Sequence, residues 1–343
     1  MLHMNLEQIK SLVQTPEYIF LRTDPHLKDR IMFLTLGGSH AYGTNVETSD
    51  VDIRGCALNQ RSDILGLTNF EQFVDTVTDT TVYSFNKLIS LLLNCNPNTI
   101  EMLGCRPEHY IYMTDLGREF IANRDLFLSK RAIHSFGGYA NQQLNRLENA
   151  LARDRLAQAQ REEHIRRSME NSVKSFEDRY DSFDAGSIRL FTDVSPREEL
   201  DREIFVDVDL KHFPARQFNS MMNDLHNVLG TYEKLNHRNH KKDDAHLNKH
   251  AMHLVRLHLM CLDILERGKI VTYRENDIDL LMDIRNGYYM NEDGTYCPEF
   301  FEMIDDLKRR LDYAKEHTSL PAHPDMKRVE EFVMSINREA LNV

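Results

Sequence analysis

Asp50-Val-Asp52 sets two carboxylates two residues apart, eleven residues after a Gly37-Gly38-Ser39 turn. In a strand, alternate side chains share a face, so the pair would project to one side and could share divalent cations. Glycines permit close backbone approach. With the Ser39 hydroxyl, the amides at the start of a following helix would make a phosphate cradle. A cradle beside a carboxylate pair suits a nucleoside triphosphate carried with Mg²⁺. The Asp-x-Asp pattern alone is not specific, because Asp207-Val-Asp209 and Asp277-Ile-Asp279 repeat it. The order of strand, glycine turn, carboxylate pair and second strand distinguishes the first occurrence.

A second chemical cluster lies on the segment Asp243 to Arg267, which has helical periodicity. At about 100° per residue, His246, Lys249, His250, His253 and Arg256 fall within an arc of about 120°, opposite Leu247, Ala251, Leu254, Val255, Leu262 and Leu265. Lys249, His253 and Arg256 are therefore expected to face the cleft and meet triphosphate or acceptor phosphate. The competing expectation is a solvated basic face. His258, amid the apolar arc, is expected to be a core histidine. The stretch Lys234 to Lys242 is basic and could touch nucleic acid locally or be a solvated loop.

The elements that must position these groups follow from pattern. Leu6, Ile9, Leu12 and Val13 mark an N-terminal helix, followed by a loop around Pro25. The apolar run Arg30 to Leu36 ends at Gly37-Gly38 and predicts a buried strand; Val51 to Leu58 and Asn69 to Val77 predict a second and a third. Tyr83 to Asn94 predicts a helix that stops before Asn96-Pro97. Beyond Leu103 the pattern is mostly helical: Ser129 to about Arg179, Ala215 to Lys234, Asp277 to Arg285, Pro298 to His317 and Pro324 to Asn337. Phe205 to Leu210 predicts a short strand.

Together these blocks resemble the polymerase-β-type nucleotidyltransferase superfamily, whose hallmark is a Gly-Ser turn followed by Asp-x-Asp. Within it the chain is similar to the predicted nucleotidyltransferases associated with bacterial RNA repair (RlaP-like). Gly38-Ser-His-Ala-Tyr-Gly43, Ser49-Asp-Val-Asp-Ile-Arg-Gly55, Asn96-Pro-Asn-Thr-Ile-Glu101, Tyr139-Ala-Asn-Gln-Gln-Leu144 and Ile284-Arg-Asn-Gly287 carry the likeness. The resemblance implies an α+β fold: a small mixed-sheet catalytic domain over 1–125 and a mainly helical domain over 126–343 that completes the nucleotide and acceptor cleft. It implies a two-metal transfer of a nucleoside monophosphate from an NTP to an acceptor hydroxyl, with release of pyrophosphate. Asp50 and Asp52 would bind two Mg²⁺ or Mn²⁺ ions, helped by a third carboxylate chosen from Glu71, Asp75 and Asp79. Asp79 is favoured, since the family has an acidic residue at that place. Gly38 and Ser39 would hold the β and γ phosphates, with Arg54 as a phosphate contact or a structural ion pair. The implied acceptor is an RNA end of tRNA-like type. A protein or small-molecule acceptor, or a non-catalytic nucleotide- or RNA-binding role, are the alternatives.

Composition bounds these expectations. A chain of 343 residues fits two domains. A formal charge of -12 argues against indiscriminate coating of nucleic acid, so any such contact must be local. The five cysteines, Cys56, Cys95, Cys105, Cys261 and Cys297, are scattered without a Cys-x-x-Cys pair. Neither a disulfide framework nor a zinc site is expected. A polar N-terminus, with Leu88 to Leu93 as the longest strongly apolar run, predicts a cytoplasmic protein without membrane spans.

Overall fold

The computed structural model describes residues 6–155, 166–167, 169–171, 173–174, 186–194, 202–236 and 244–342. Most of the basic stretch Lys234 to Lys242 lies outside them. Proximity divides the chain into two compact units. The first comprises Met1–Asn145, Asp244–Asn291 and Tyr296–Val343; the second comprises Arg146–Asp243 and Glu292–Thr295.

The first unit is built on five strands: β1 (Ile31–Leu36), β2 (Ile53–Ala57), β3 (Gln72–Asp75), β4 (Thr80–Ser84) and β5 (Tyr110–Met113). They lie in the order β3-β4-β2-β1-β5, mixed in direction, which together with the many helices makes the fold α+β. Every residue of β1 is buried, because it is central and covered on both faces. One cover is the N-terminal segment, whose Ile9, Val13, Tyr18, Leu21 and Leu27 pack with Leu34 and Leu36. Another is aromatic: Phe33 and Phe85 each meet Phe120, which also contacts Phe127 and Phe332 of the C-terminal Met326–Ala340 helix. Beta-strand β2 pairs antiparallel with β1 but parallel with β4, with Ile53 opposite Thr80 and Cys56 opposite Tyr83.

Three corrections to the expected elements bear on function. The second strand begins at Ile53, so Asp50 and Asp52 stand in its approach rather than within it. Two strands escape the sequence pattern. Thr80–Ser84 is short, Thr-rich and runs directly into the Phe85–Leu92 helix, capped by Ser84 accepting from the Lys87 amide. Tyr110–Met113 is a four-residue edge strand between helical segments. The Asp244–Arg267 helix joins the first unit, where it packs on the Ile278–Arg285 and Pro298–His317 helices.

The second unit contains a hairpin, β6 (Gly186–Val194) and β7 (Arg202–Leu210), where only a short strand was expected. Ile188 and Leu190 pack there with Met221 of the Ala215–Asn236 helix. Among the described residues no helix is long and apolar enough to cross a membrane.

Candidate active site

The glycine turn follows β1 directly. Gly37 is extended and donates its amide to the Asp52 carbonyl at 2.8 Å, which ties the turn to the approach of β2. Gly38 adopts φ 53°, a left-handed conformation, and a Cβ there would overlap the Asp52 carboxylate. Both constraints require glycine. Gly38–Tyr42 then makes one short helical turn, with Ser39 part-exposed. It is closed by Gly43 at φ 79°, whose face lies against the Tyr273 ring. Behind the turn, the Arg274 amide donates to the Tyr42 carbonyl at 3.0 Å. The Arg285 guanidinium donates to the Thr44 carbonyl at 2.7 Å.

The carboxylates are unequally placed. Asp50 is exposed and Asp52 half-buried. Asp79 is exposed in the turn between β3 and β4, with φ 46°, a conformation that aspartate tolerates better than most residues. Because β2 and β4 run parallel in register, Asp52 and Asp79 come to the same end of adjacent strands. One guanidinium nitrogen of Arg54, Nη2, lies between them, 2.8 Å from Asp52 and 3.1 Å from Asp79. The other terminal nitrogen, Nη1, donates to the carbonyls of Ile53 and Asp79. Burial pushes the Asp52 carboxyl up to about 6, against the pull of Arg54 and with the push of Asp79. Of the other acidic candidates, Glu71 pairs with Lys87 at 2.8 Å, and Asp75 accepts the Thr78 amide and hydroxyl within its own turn. Asp79 is thus the one of the three brought beside Asp52.

The basic helix turns His253 and Arg256 toward Tyr42. Arg256 is 5% exposed and does not face open solvent, because the Asp244–Arg267 helix is buried around nearly its whole circumference beyond its first turn. Its charge survives burial by pairing with Glu101 at 3.1 Å and by stacking 3.6 Å above the centre of the Tyr42 ring. Tyr42 in turn donates its hydroxyl to Glu101 at 2.8 Å. Burial raises the Tyr42 hydroxyl well above its ordinary value. Among the described residues the buried Arg256 Nε atom has no hydrogen-bond partner. His253, part-exposed, stands edge-on to Tyr42 with ring centres 6.4 Å apart. Burial holds it well below the ordinary imidazole value, reinforced by Arg256, Lys249, His250 and Arg285. Lys249 is exposed. His258 is buried with Nδ1 2.8 Å from the Leu254 carbonyl oxygen, as a core histidine should be.

Glu101, Tyr42 and Arg285 received no role from the sequence, although each lies in a block that carries the family likeness. Their partners lie 59, 155 and 241 residues away in the chain, beyond any local signal.

The carboxylate oxygens of Asp50, Asp52 and Asp79 are hard donors of the kind that bind Mg²⁺ or Mn²⁺. Asp52 is partly desolvated beside a second carboxylate, with a single shared nitrogen as its offset, so this corner is short of positive charge. A divalent cation fits that deficit. Among the described residues no group of three His, Cys, Asp or Glu side chains forms a ready-made metal centre.

No curated protein and no solved structure matches the chain. Residues 3–167 match the family model described as RlaP, the RNA repair pathway DNA polymerase beta family. The matched span includes the glycine turn, Asp50, Asp52, Arg54, Asp79, Glu101 and Tyr139. Over residues 3–167, a little under half of its length, the chain is therefore similar to the RlaP RNA repair pathway DNA polymerase beta family.

Proposed function

We propose that this protein transfers a nucleoside monophosphate from an NTP to the hydroxyl of an RNA end, with release of pyrophosphate. The observation that carries the proposal is the convergence of the Gly38-Ser39 turn with Asp52 and Asp79 at the starts of two parallel strands. The likeness of residues 3–167 to that family supports nucleotidyl transfer in RNA repair, and the choice of a tRNA-like acceptor follows from the same likeness.

Asp50, Asp52 and Asp79 would hold two Mg²⁺ or Mn²⁺ ions. When bound, such ions stabilise charge on the attacking and leaving oxygens of an in-line displacement. The chain's own residues do the positioning. The Gly38 and Ser39 amides and the Ser39 hydroxyl hold the β and γ phosphates, where the first amides of a helical turn have no partner of their own. Lys249 supplies a mobile charge to the triphosphate, while neutral His253 offers a hydrogen bond. Arg54 keeps Asp52 and Asp79 side by side until cations reach them. Arg256 acts on the nucleotide through Tyr42, which it holds under the turn, rather than by touching phosphate.

The test is incubation of the protein with labelled NTPs, Mg²⁺ or Mn²⁺ and a panel of RNA 3′ ends. Extension by wild type and none by Asp50→Ala/Asp52→Ala is the expected result. Equal behaviour of the two proteins refutes the assignment. Label that survives nuclease treatment on protein would move the acceptor from RNA to a protein hydroxyl.

A further inference from the structure

Two blocks of the family likeness, Asn96 to Glu101 and Tyr139 to Leu144, have no complete role in holding phosphate or metal. The fold brings residues of both to the sheet face that carries Arg54. Arg54, on β2, reaches back to Asp52 at 2.8 Å, and the parallel register sets Thr81 opposite Arg54 and Tyr83 opposite Cys56. By alternation Tyr83 therefore stands on the face that carries Arg54, one pleat repeat beyond Thr81, and is half-buried. Arg54, Glu101, Tyr139 and Lys87 all lie within its electrostatic reach.

Two helices supply the remaining groups. Tyr139, on the Arg131–Arg155 helix, accepts a hydrogen bond from the Asn96 carboxamide at 3.4 Å. One turn further on, the Gln143 carboxamide oxygen meets His250 Nδ1 at 2.9 Å. His250 lies one turn before His253, which contacts Tyr42. Tyr83, Asn96, Tyr139, Gln143 and His250 are all part-exposed. His250 also joins Lys249, Arg256 and Arg285 around His253, which links this group to the phosphate side.

Aromatic rings stack on nucleobases of any sequence, and carboxamides pair with base edges through an adjacent donor and acceptor. An imidazole supplies one donor and one acceptor whose places exchange with its tautomer. An aromatic and amide cluster beside a phosphate and carboxylate cluster is the polarity of a nucleotide. We propose that Tyr83, Tyr139, Gln143 and His250 form a nucleoside subsite that stacks on and reads a heteroaromatic base, with Asn96, whose Oδ1 caps the Pro97–Ile100 turn, holding the Tyr139 ring. Its occupant is the base of the incoming NTP or the terminal base of the acceptor. The subsite rests on the nucleotidyl-transfer function proposed above.

The test uses the full-length protein with Tyr139→Leu and Gln143→Ala, and with Tyr139→Phe and Gln143→Glu as milder variants should the first pair fail to fold. Three affinities are measured in Mg²⁺: for inorganic tripolyphosphate, for each of the four non-hydrolysable ribonucleoside triphosphates, and for a 3′-hydroxyl RNA oligonucleotide. Tripolyphosphate binding is expected to stay within two-fold of wild type in every variant. Tyr139→Leu and Gln143→Ala are expected to weaken one of the other two ligands by about ten-fold or more, and Gln143→Glu to change the ranking of the bases. Loss of NTP affinity identifies the incoming base as occupant, and loss of RNA affinity identifies the acceptor base.

NTP and RNA affinities that stay within two-fold, with base ranking unchanged, overturn the subsite while leaving nucleotidyl transfer standing. A wild type that binds neither tripolyphosphate nor NTP removes the parent function and the subsite together.

Discussion

Two aspartate-arginine-aspartate clusters stand out among the described residues, each including an Asp-x-Asp residue, and they differ in how fully the charges are matched. Arg274 is 4% exposed, gives Nη1 to Asp263 at 2.5 Å, and turns Nε and Nη2 on Asp277. A fork-shaped cation shared this way uses its geometry fully. Arg267 adds a second cation to Asp263 at 3.1 Å. Around Asp52 the fork is divided differently: Nη2 alone serves both carboxylates, while Nη1 is spent on backbone carbonyls. Asp52 is left with a carboxyl pushed up to about 6, beside a glycine that leaves no room for a side chain. The first cluster is built to stay as it is. The second is less fully matched, which is the pattern that the proposed cation-binding role calls for.

Four substitutions would break or sharpen that contrast. The largest effect is expected from Asp52→Asn, which should reduce labelled transfer on the order of a thousand-fold, the scale of losing one electrostatic anchor at a reacting centre. The converse holds for Arg274→Met, which should leave a buried Asp263 without its main partner and lower stability by about 3 kcal/mol in denaturant titration. Gly38→Ala comes next. Strain at positive φ and overlap with Asp52 should cost about 2 kcal/mol of stability and most of the activity, read by thermal melting and transfer assay.

Asp52→Asn carries a second, smaller expectation, for metal-free protein in chelator. A carboxyl whose folded value is raised binds more protons folded than unfolded, so wild-type stability falls as pH rises from about 4 to about 6 and stays lowered above that. The variant should therefore melt higher than wild type at pH 7 to 8, by on the order of 1 to 2 kcal/mol, with the gain vanishing toward pH 4. A destabilised variant at neutral pH would contradict the charge deficit. Finally, Asp279→Asn, in the exposed half of the other Asp-x-Asp, should change stability by no more than about 0.5 kcal/mol and leave activity intact.

Local features were legible in the residues. The run Ile31 to Leu36, the glycine turn and the approach to the aspartates are contiguous, and each obeys a rule of periodicity or of positive φ. The order of those parts separated Asp50-Val-Asp52 from Asp277-Ile-Asp279, whose first aspartate is committed to Arg274. Features made by pairing distant segments were not legible. The strand at Thr80–Ser84 owes its state to β2 on one side and β3 on the other, which no property of Thr-Thr-Val-Tyr-Ser announces. The pairing of Arg256 was not legible for a related reason: its counter-ion, Glu101, lies 155 residues away.

Pairing β2 with β4 in parallel has a consequence for how this site tolerates change. Antiparallel strands of five residues would carry the two aspartates to opposite ends, roughly 15 Å apart. Running parallel, they need a crossover, and that crossover divides into two stretches of opposite character. Beyond the buried Leu58 and Asn59, residues 61–69 run over the surface at the end of β2 remote from Asp52, so chain can be inserted or lost there while Ile53 still meets Thr80. Residues 76–79 return the chain at the carboxylates themselves, where the Asp79 carbonyl accepts the Ile53 amide and Arg54 Nη1. One added residue there would shift the register between the two aspartates. The first stretch is where this fold can vary among its relatives, and the second is where its length is fixed by chemistry.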